Sequence, residues 1–218
     1  MIGGKMKAFA GRFVYLLIGV FFYALGIALA IRADIGYAPW EVFHAGLALA
    51  TGTSIGAASI VAGLVIVAIV TACGEKIGLG TVFSMIVTGL WLDLILMLDL
   101  IPIAPNMILG ILMLIAGLFV ISAGSYFYIK SAFGAGPRDN LMVVLNRKTK
   151  LPIGACRSLV ELSVTLAGWV LGGMVGVGTV ISVAAIGLCI QITFALVKFD
   201  ASAVEHETLK QTWQSLRK

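Results

Sequence analysis

Gly36-Tyr37-Ala38-Pro39-Trp40-Glu41 returns 98 positions later as Gly134-Ala135-Gly136-Pro137-Arg138-Asp139. The match extends in both directions. Ile55-Gly56-Ala57 falls on Ile153-Gly154-Ala155. Gly78-Leu79-Gly80-Thr81-Val82-Phe83-Ser84 falls on Gly176-Val177-Gly178-Thr179-Val180-Ile181-Ser182. From residue 19 to residue 98 the shift needs no gap, and about a quarter of the pairs are identical. The chain is one unit written twice. In a membrane chain such a repeat points to a transporter-like architecture with its site between the halves.

The membrane follows from composition. Of 218 residues, 61% are hydrophobic and 11% charged, with a mean hydropathy of +1.10. A helix needs about 20 apolar residues to cross about 30 Å of hydrocarbon. Six such runs are predicted, at 12–31, 54–73, 79–98, 107–129, 153–172 and 178–197. The first is not expected to be a cleaved signal, because it aligns with the fourth, an internal segment. The fold expected is an all-α polytopic membrane protein. Its membrane domain covers 1–198, with repeats at 12–98 and 107–198, and 199–218 form a cytoplasmic amphipathic tail.

Charge sets the expected orientation. With the N-terminus inside, fourteen of the fifteen lysines and arginines lie on the cytoplasmic side and Arg32 alone lies opposite. This bias predicts cytoplasmic N- and C-termini. Three spans per repeat is an odd number, so the second copy is expected upside down relative to the first. The net charge of +5 is thereby explained without nucleic acid. Cys73, Cys156 and Cys189 lie in apolar segments without metal-ligand or disulfide spacing, and read as packing residues.

Segments 36–52 and 134–150 follow the first span of each repeat and are too short to cross again. Each opens with Gly-x-x-Pro, and proline suits a first helical turn because its missing N–H has no partner there. Each therefore reads as a loop entering a short helix, lying on the surface or dipping in as a re-entrant half-helix. A dipping helix needs protein or water around its irregular backbone. Residues 37–50 are apolar enough to dip. The second segment ends in Asn146-Arg147-Lys148-Thr149-Lys150, so only its first half is. In the tail, Ser202-Ala203-Val204-Glu205 has the pattern of a capping box. Val204, Leu209, Trp213 and Leu216 then recur at helical spacing.

Glu161 is the sharpest candidate site residue. It lies about 12 Å along the fifth span, where a carboxylate is expected to be paired, protonated or facing a cavity. Arg157 precedes it by four residues on the same face, so the two can meet. A purely structural ion pair is the competing reading. The repeat counterpart of Glu161 is Gly63, a divergence that fits an asymmetric site. Asp93 and its counterpart Gln191 are polar positions in otherwise apolar helices. Glu41 and Asp139 follow the paired prolines by two residues, where an acid also simply favours the helix dipole. If the short helices dip, these acids line a central cavity with Trp40, His44, Arg138 and Asn140. His44 has the side chain whose ordinary pKa is nearest neutrality.

The paired glycines, such as Gly19/Gly117 and Gly26/Gly124, read as places of close helix approach in lipid. The turns near 74–80 and 172–178 lack the Lys-Ser/Thr of a phosphate loop. No hydrolase or metalloprotease motif is present, and neither an enzyme nor a cofactor is expected.

Four runs then carry a resemblance: Ala33-Asp34-Ile35-Gly36-Tyr37-Ala38-Pro39-Trp40, Thr53-Ser54-Ile55-Gly56, Phe133-Gly134-Ala135-Gly136-Pro137-Arg138-Asp139 and Leu151-Pro152-Ile153-Gly154. With them residues 12–198 resemble the YitT/YczE family. The resemblance implies a bacterial cytoplasmic membrane protein with repeated elements, and brings no catalytic residue with it. The leading expectation is a secondary transporter of a small polar or anionic solute, with Glu161 binding solute or carrying a proton. Its partners are then the solute and the bilayer, and homo-oligomerisation stays open. A substrate-binding subunit of a multi-component importer and a non-transporting scaffold or assembly factor remain as alternatives.

Overall fold

The computed structural model describes residues 2–134 and 136–217, with side chains for 9–134, 136–152, 154–201 and 203–213. Lys5, Lys7, Ala135, Ile153, Ser202, Leu216, Arg217 and Lys218, used in the sequence reading, fall outside that set in whole or in their side chains. The described residues form helices and no strand: α1 Ile2–Arg32, α2 Pro39–Thr51, α3 Ile55–Ala72, α4 Leu79–Met97, α5 Met107–Lys130, α6 Pro137–Thr149, α7 Ile153–Val170, α8 Val177–Leu196 and α9 Leu209–Arg217. Shifting α1–α4 by 98 positions reproduces the bounds of α5–α8 closely. The ends Arg32 and Lys130 coincide, as do all the bounds of α2 with α6 and of α3 with α7.

Local chemistry explains the starts and stops. Pro39 and Pro137 open the two short helices after extended residues, where no N–H is missed. Both short helices end on a left-handed residue, Gly52 at φ 68° and Lys150 at φ 62°. Ser54 caps α3 by accepting the Ala57 N–H at 3.1 Å. Asn106 caps α5 by accepting that of Leu109 at 3.0 Å.

α1 and α5 pack along each other, α4 packs on α1, and α8 packs on α5. At its glycines the α1–α5 contact brings backbone against backbone. A Cβ on Gly26 would lie 2.6 Å from the Gly117 carbonyl oxygen, and one on Gly124 would lie 2.9 Å from that of Gly19. These contacts are reciprocal, because Gly26 corresponds to Gly124 and Gly117 to Gly19. The loops cross reciprocally too. Gly178 N donates to Ile35 O at 2.7 Å, and its counterpart Gly80 N donates to Phe133 O at 2.7 Å. α2 lies against α3 of its own half and α7 of the other, while α6 lies against α7 of its own half and α3 of the other.

Five described helices are long and apolar enough to cross a membrane: Phe9–Arg32 of α1, α3, α4, α5 and α8. The fifth predicted span, 153–172, does not qualify alone over its described residues Gly154–Val170. It qualifies together with α6, from which α7 bends by 117°. The count is therefore five, or six when that pair is one broken span. α2 is too short to cross at about 1.5 Å per residue. It buries Trp40, Glu41, Val42 and His44 among other residues, so protein surrounds it. On α6 only Met142 and Val144 are buried.

The tail corrects the sequence reading. The pattern at 202–205 does not start a helix. Ala201–Ala203 make one 3-10 turn and α9 begins at Leu209. Between them the chain is drawn out by contacts with the body: Glu207 N donates to Ala132 O at 2.8 Å, and Leu209 N donates to Ile77 O at 3.0 Å. Arg12 holds the Glu207 carboxylate at 2.5 Å. The capping box is Thr208 with Gln211. Gln211 Oε1 accepts the Thr208 N–H at 2.8 Å, and Thr208 Oγ1 accepts the Gln211 N–H at 3.3 Å.

Gly26→Leu should lower thermal stability in detergent steeply, by at least the ~1–3 kcal/mol typical of overpacking. Gly11→Leu, where nothing lies within 4 Å, should leave melting within the scatter of surface changes. Equal melting of the two variants would refute the backbone contact.

Candidate functional site

A cavity of about 300 Å³ lies between the halves, lined by residues from all eight of the helices α1–α8. Much of its lining comes in repeat pairs. Tyr23 stands with Ile121, Ile27 with Ser125, Trp40 with Arg138, His44 with Met142, Ser59 with Arg157, Gly63 with Glu161, Thr88 with Ile186 and Leu92 with Ile190. A smaller adjoining space of about 80 Å³ adds Glu41 and Ser182 and reaches Ala38 and Pro39.

The charged groups gather on one part of this wall. Arg157 Nε donates to Glu161 Oε1 at 2.8 Å, the i,i+4 pair expected from the sequence. The Arg138 guanidinium lies 3.5 Å from Glu41 Oε1 and 4.6 Å from the centre of the Trp40 ring, a cation–π distance. Trp40 and Arg138 occupy equivalent positions in the two copies, so the repeats meet at this stack. Glu41 is 6% exposed and His44 4%. Asp139 borders the cavity and folds back towards Gly136 at the start of α6, where the helix dipole favours an acid. Three carboxylates thus face two guanidinium groups. From the tail, His206 faces Asp139. Partial burial pushes the His206 imidazole below the ordinary histidine value, and the Asp139 charge opposes that shift.

Of the ten candidates, Trp40, His44, Arg138, Asp139, Arg157 and Glu161 border the larger space and Glu41 the smaller. Asn140, Asp93 and Gln191 border neither. Asp93 instead caps α3: its Oδ1 accepts the Gly56 N–H at 2.8 Å and its Oδ2 accepts the Ser54 hydroxyl at 2.5 Å. A carboxylate at a helix N-terminus satisfies amides that have no intrahelical partner. Gln191 lies exposed on α8. Sequence reasoning passed over Tyr23, Ser59, Ser84, Ser125 and Tyr128, all on the wall. Ser59 was findable as the repeat partner of Arg157. Tyr128 donates its hydroxyl to Gly134 O at 2.9 Å. Among the described residues no group of three His, Cys, Asp or Glu side chains converges as metal ligands.

The apolar helices and their buried, reciprocally packed centre define a polytopic helical membrane protein. The chain belongs to DUF6198, a family of unknown function, which it matches over residues 10–194. It is 32% identical over 176 residues to an uncharacterized protein of Haemophilus influenzae, covering 81% of this chain and 80% of that one. It is also 29% identical over 186 residues to the uncharacterized membrane protein YczE of Bacillus subtilis, covering 84% and 85%. YyaS of the same organism is 26% identical over 192 residues, covering 86% and 94%. These relatives agree with the resemblance carried by the Gly/Pro runs. No solved structure gives a significant match.

Arg138→Leu should destabilise the fold by about 1–3 kcal/mol, because it leaves the Glu41 carboxylate buried without its partner. Adding Glu41→Leu should recover much of that loss, since a paired apolar replacement leaves no orphaned charge. Denaturant unfolding of the three variants measures the cycle. Additive losses would show that the two residues do not interact.

Proposed function

We propose that the chain is a proton-coupled secondary transporter of a small polar or anionic solute, built as two inverted repeats with the solute site in the central cavity. The observation that carries this reading is the paired lining of one cavity by repeat-equivalent residues, with its charge confined to one side. Inverted repeats meeting at a central site are a recurrent transporter plan, because the two halves can exchange conformations around it. The reciprocal α1–α5 and loop contacts support the pairing of halves. The odd number of spans per half supports the inversion.

The chemistry suits an anionic group. Both short helices begin at the cavity, at Pro39 and Pro137, so their N-termini offer partial positive charge. Arg138 and Arg157 add full charges. Glu161 is the exchangeable element in this reading. It can release Arg157 to a solute carboxylate or phosphate, and carry the proton while it does so. Tyr23 and the wall serines orient the polar remainder of the solute. The protein then works in the bacterial inner membrane with both termini in the cytoplasm, as the bias of basic residues favours. It moves its solute without covalent chemistry or a cofactor.

Thermal unfolding in detergent against amino acids, vitamins, organic anions and lipids tests this. A ligand of the folded form should stabilise by ~2.7 kcal/mol at one hundred times its dissociation constant. Glu161→Gln should abolish that gain while melting normally without ligand. Equal stabilisation of Glu161→Gln and the natural chain would remove Glu161 from the site.

A further inference from the structure

α3 and α4 are locked together. Asp93 of α4 takes the Gly56 N–H and the Ser54 hydroxyl at the start of α3. A Cβ on Gly89 would meet the Ile60 side chain at 2.6 Å and Gly56 O at 2.8 Å. The equivalent helices of the second half are parted. Among the described residues α7 and α8 do not pack along their lengths. Gly154 and Gly187, the counterparts of Gly56 and Gly89, have nothing within 4 Å of an added Cβ. Gln191, the counterpart of Asp93, is exposed, and no side chain caps α7. The gap falls in the cavity wall, where Arg157 and Glu161 of α7 face Ile186, Ile190 and Phe194 of α8.

We propose that α7 and α8 are the two leaves of a gate on this cavity, open in the present structure, which closes when Gly154 and Gly187 meet and Gln191 caps α7. The inference deepens the transport reading and rests on it, by naming the side from which solute reaches Glu161.

Each part of the closed state is already present. Glycine inside a helix is less favourable than alanine, and in lipid close helix approach offsets that cost. Gly154 and Gly187 make no such approach in the open state, whereas their counterparts do. The Gly154 N–H lies in the first turn of α7, where amides have no intrahelical acceptor. The Gln191 amide oxygen can accept it as Asp93 accepts that of Gly56. Gln191 is neutral, so the bond it makes is weaker than the charged one that holds α3 to α4. That difference suits a contact that must open again.

Amide exchange of the protein in nanodiscs without any solute tests the gate. Gly187→Leu fits the open structure, where nothing lies within 4 Å of an added Cβ, but blocks closure, and Gln191→Leu removes the cap. In both variants the first turn of α7 should exchange several-fold faster than in the natural protein. Equal rates in all three would overturn the gate. A rigid gap would leave the solute reading standing, because that reading is judged by ligand stabilisation through Glu161.

Discussion

The backbones of α1 and α5 touch, and the rest of the molecule is arranged around that contact. In lipid, helices gain little from hiding apolar surface, so close packing decides which of them associate. Gly26 against Gly117, and Gly19 against Gly124, bring the backbones of the two longest described helices together. Because the contacts are reciprocal, each half is placed by the same surface of the other. The loops after α1 and α5 then cross, so that Ile35 reaches Gly178 and Phe133 reaches Gly80. This crossing lays α2 against α7 and α6 against α3. A cavity between the halves follows, since both short helices must start at the middle.

The charged cluster sits where such a middle tolerates it. Arg138 reaches Glu41 and Trp40 from the other half, and Arg157 holds Glu161 within its own helix. Unpaired charges at membrane depth are expensive, so each guanidinium is engaged by a carboxylate. The two pairs differ in kind. The Arg138 pair joins the halves, and its loss strands a buried acid. The Arg157 pair is local and can open without parting any helices, which is why the proposed function assigns exchange to Glu161 and not to Glu41.

Much of this was legible in the chain because a repeat tests its own reading. Prolines at 39 and 137 fixed two helix starts, and a shift of 98 positions carried the other boundaries across. The cluster was legible because Glu41, Arg138, Asp139, Arg157 and Glu161 are charges in apolar surroundings. Asp93 is such a charge as well, yet its partners, Ser54 and Gly56, lie 39 and 37 positions away. No local pattern distinguishes a distant cap from a cavity wall. The tail misled for a related reason. Ser202 to Glu205 and Thr208 to Gln211 both have capping spacing, and only the bonds of Glu207 and Leu209 to other turns select the second. Tyr23 and the wall serines carry no charge, so nothing in the sequence separates them from ordinary packing hydroxyls.

The halves differ at one pair of equivalent residues beside the cavity, Gly63 and Glu161. On α3, Gly63 leaves space that Met85 of α4 fills, with its Sδ 2.5 Å from where a Cβ would stand. That seating closes α3 on α4 beside the cavity. At the same place α7 carries Glu161, whose side chain needs Arg157 and polar surroundings. Val183, the counterpart of Met85, is exposed rather than seated. The helix pair that packs through a glycine in one copy carries a carboxylate at the same position in the other, where the two helices do not pack along their lengths. The residue that breaks the repeat is thus also the one to which the proposed exchange is assigned.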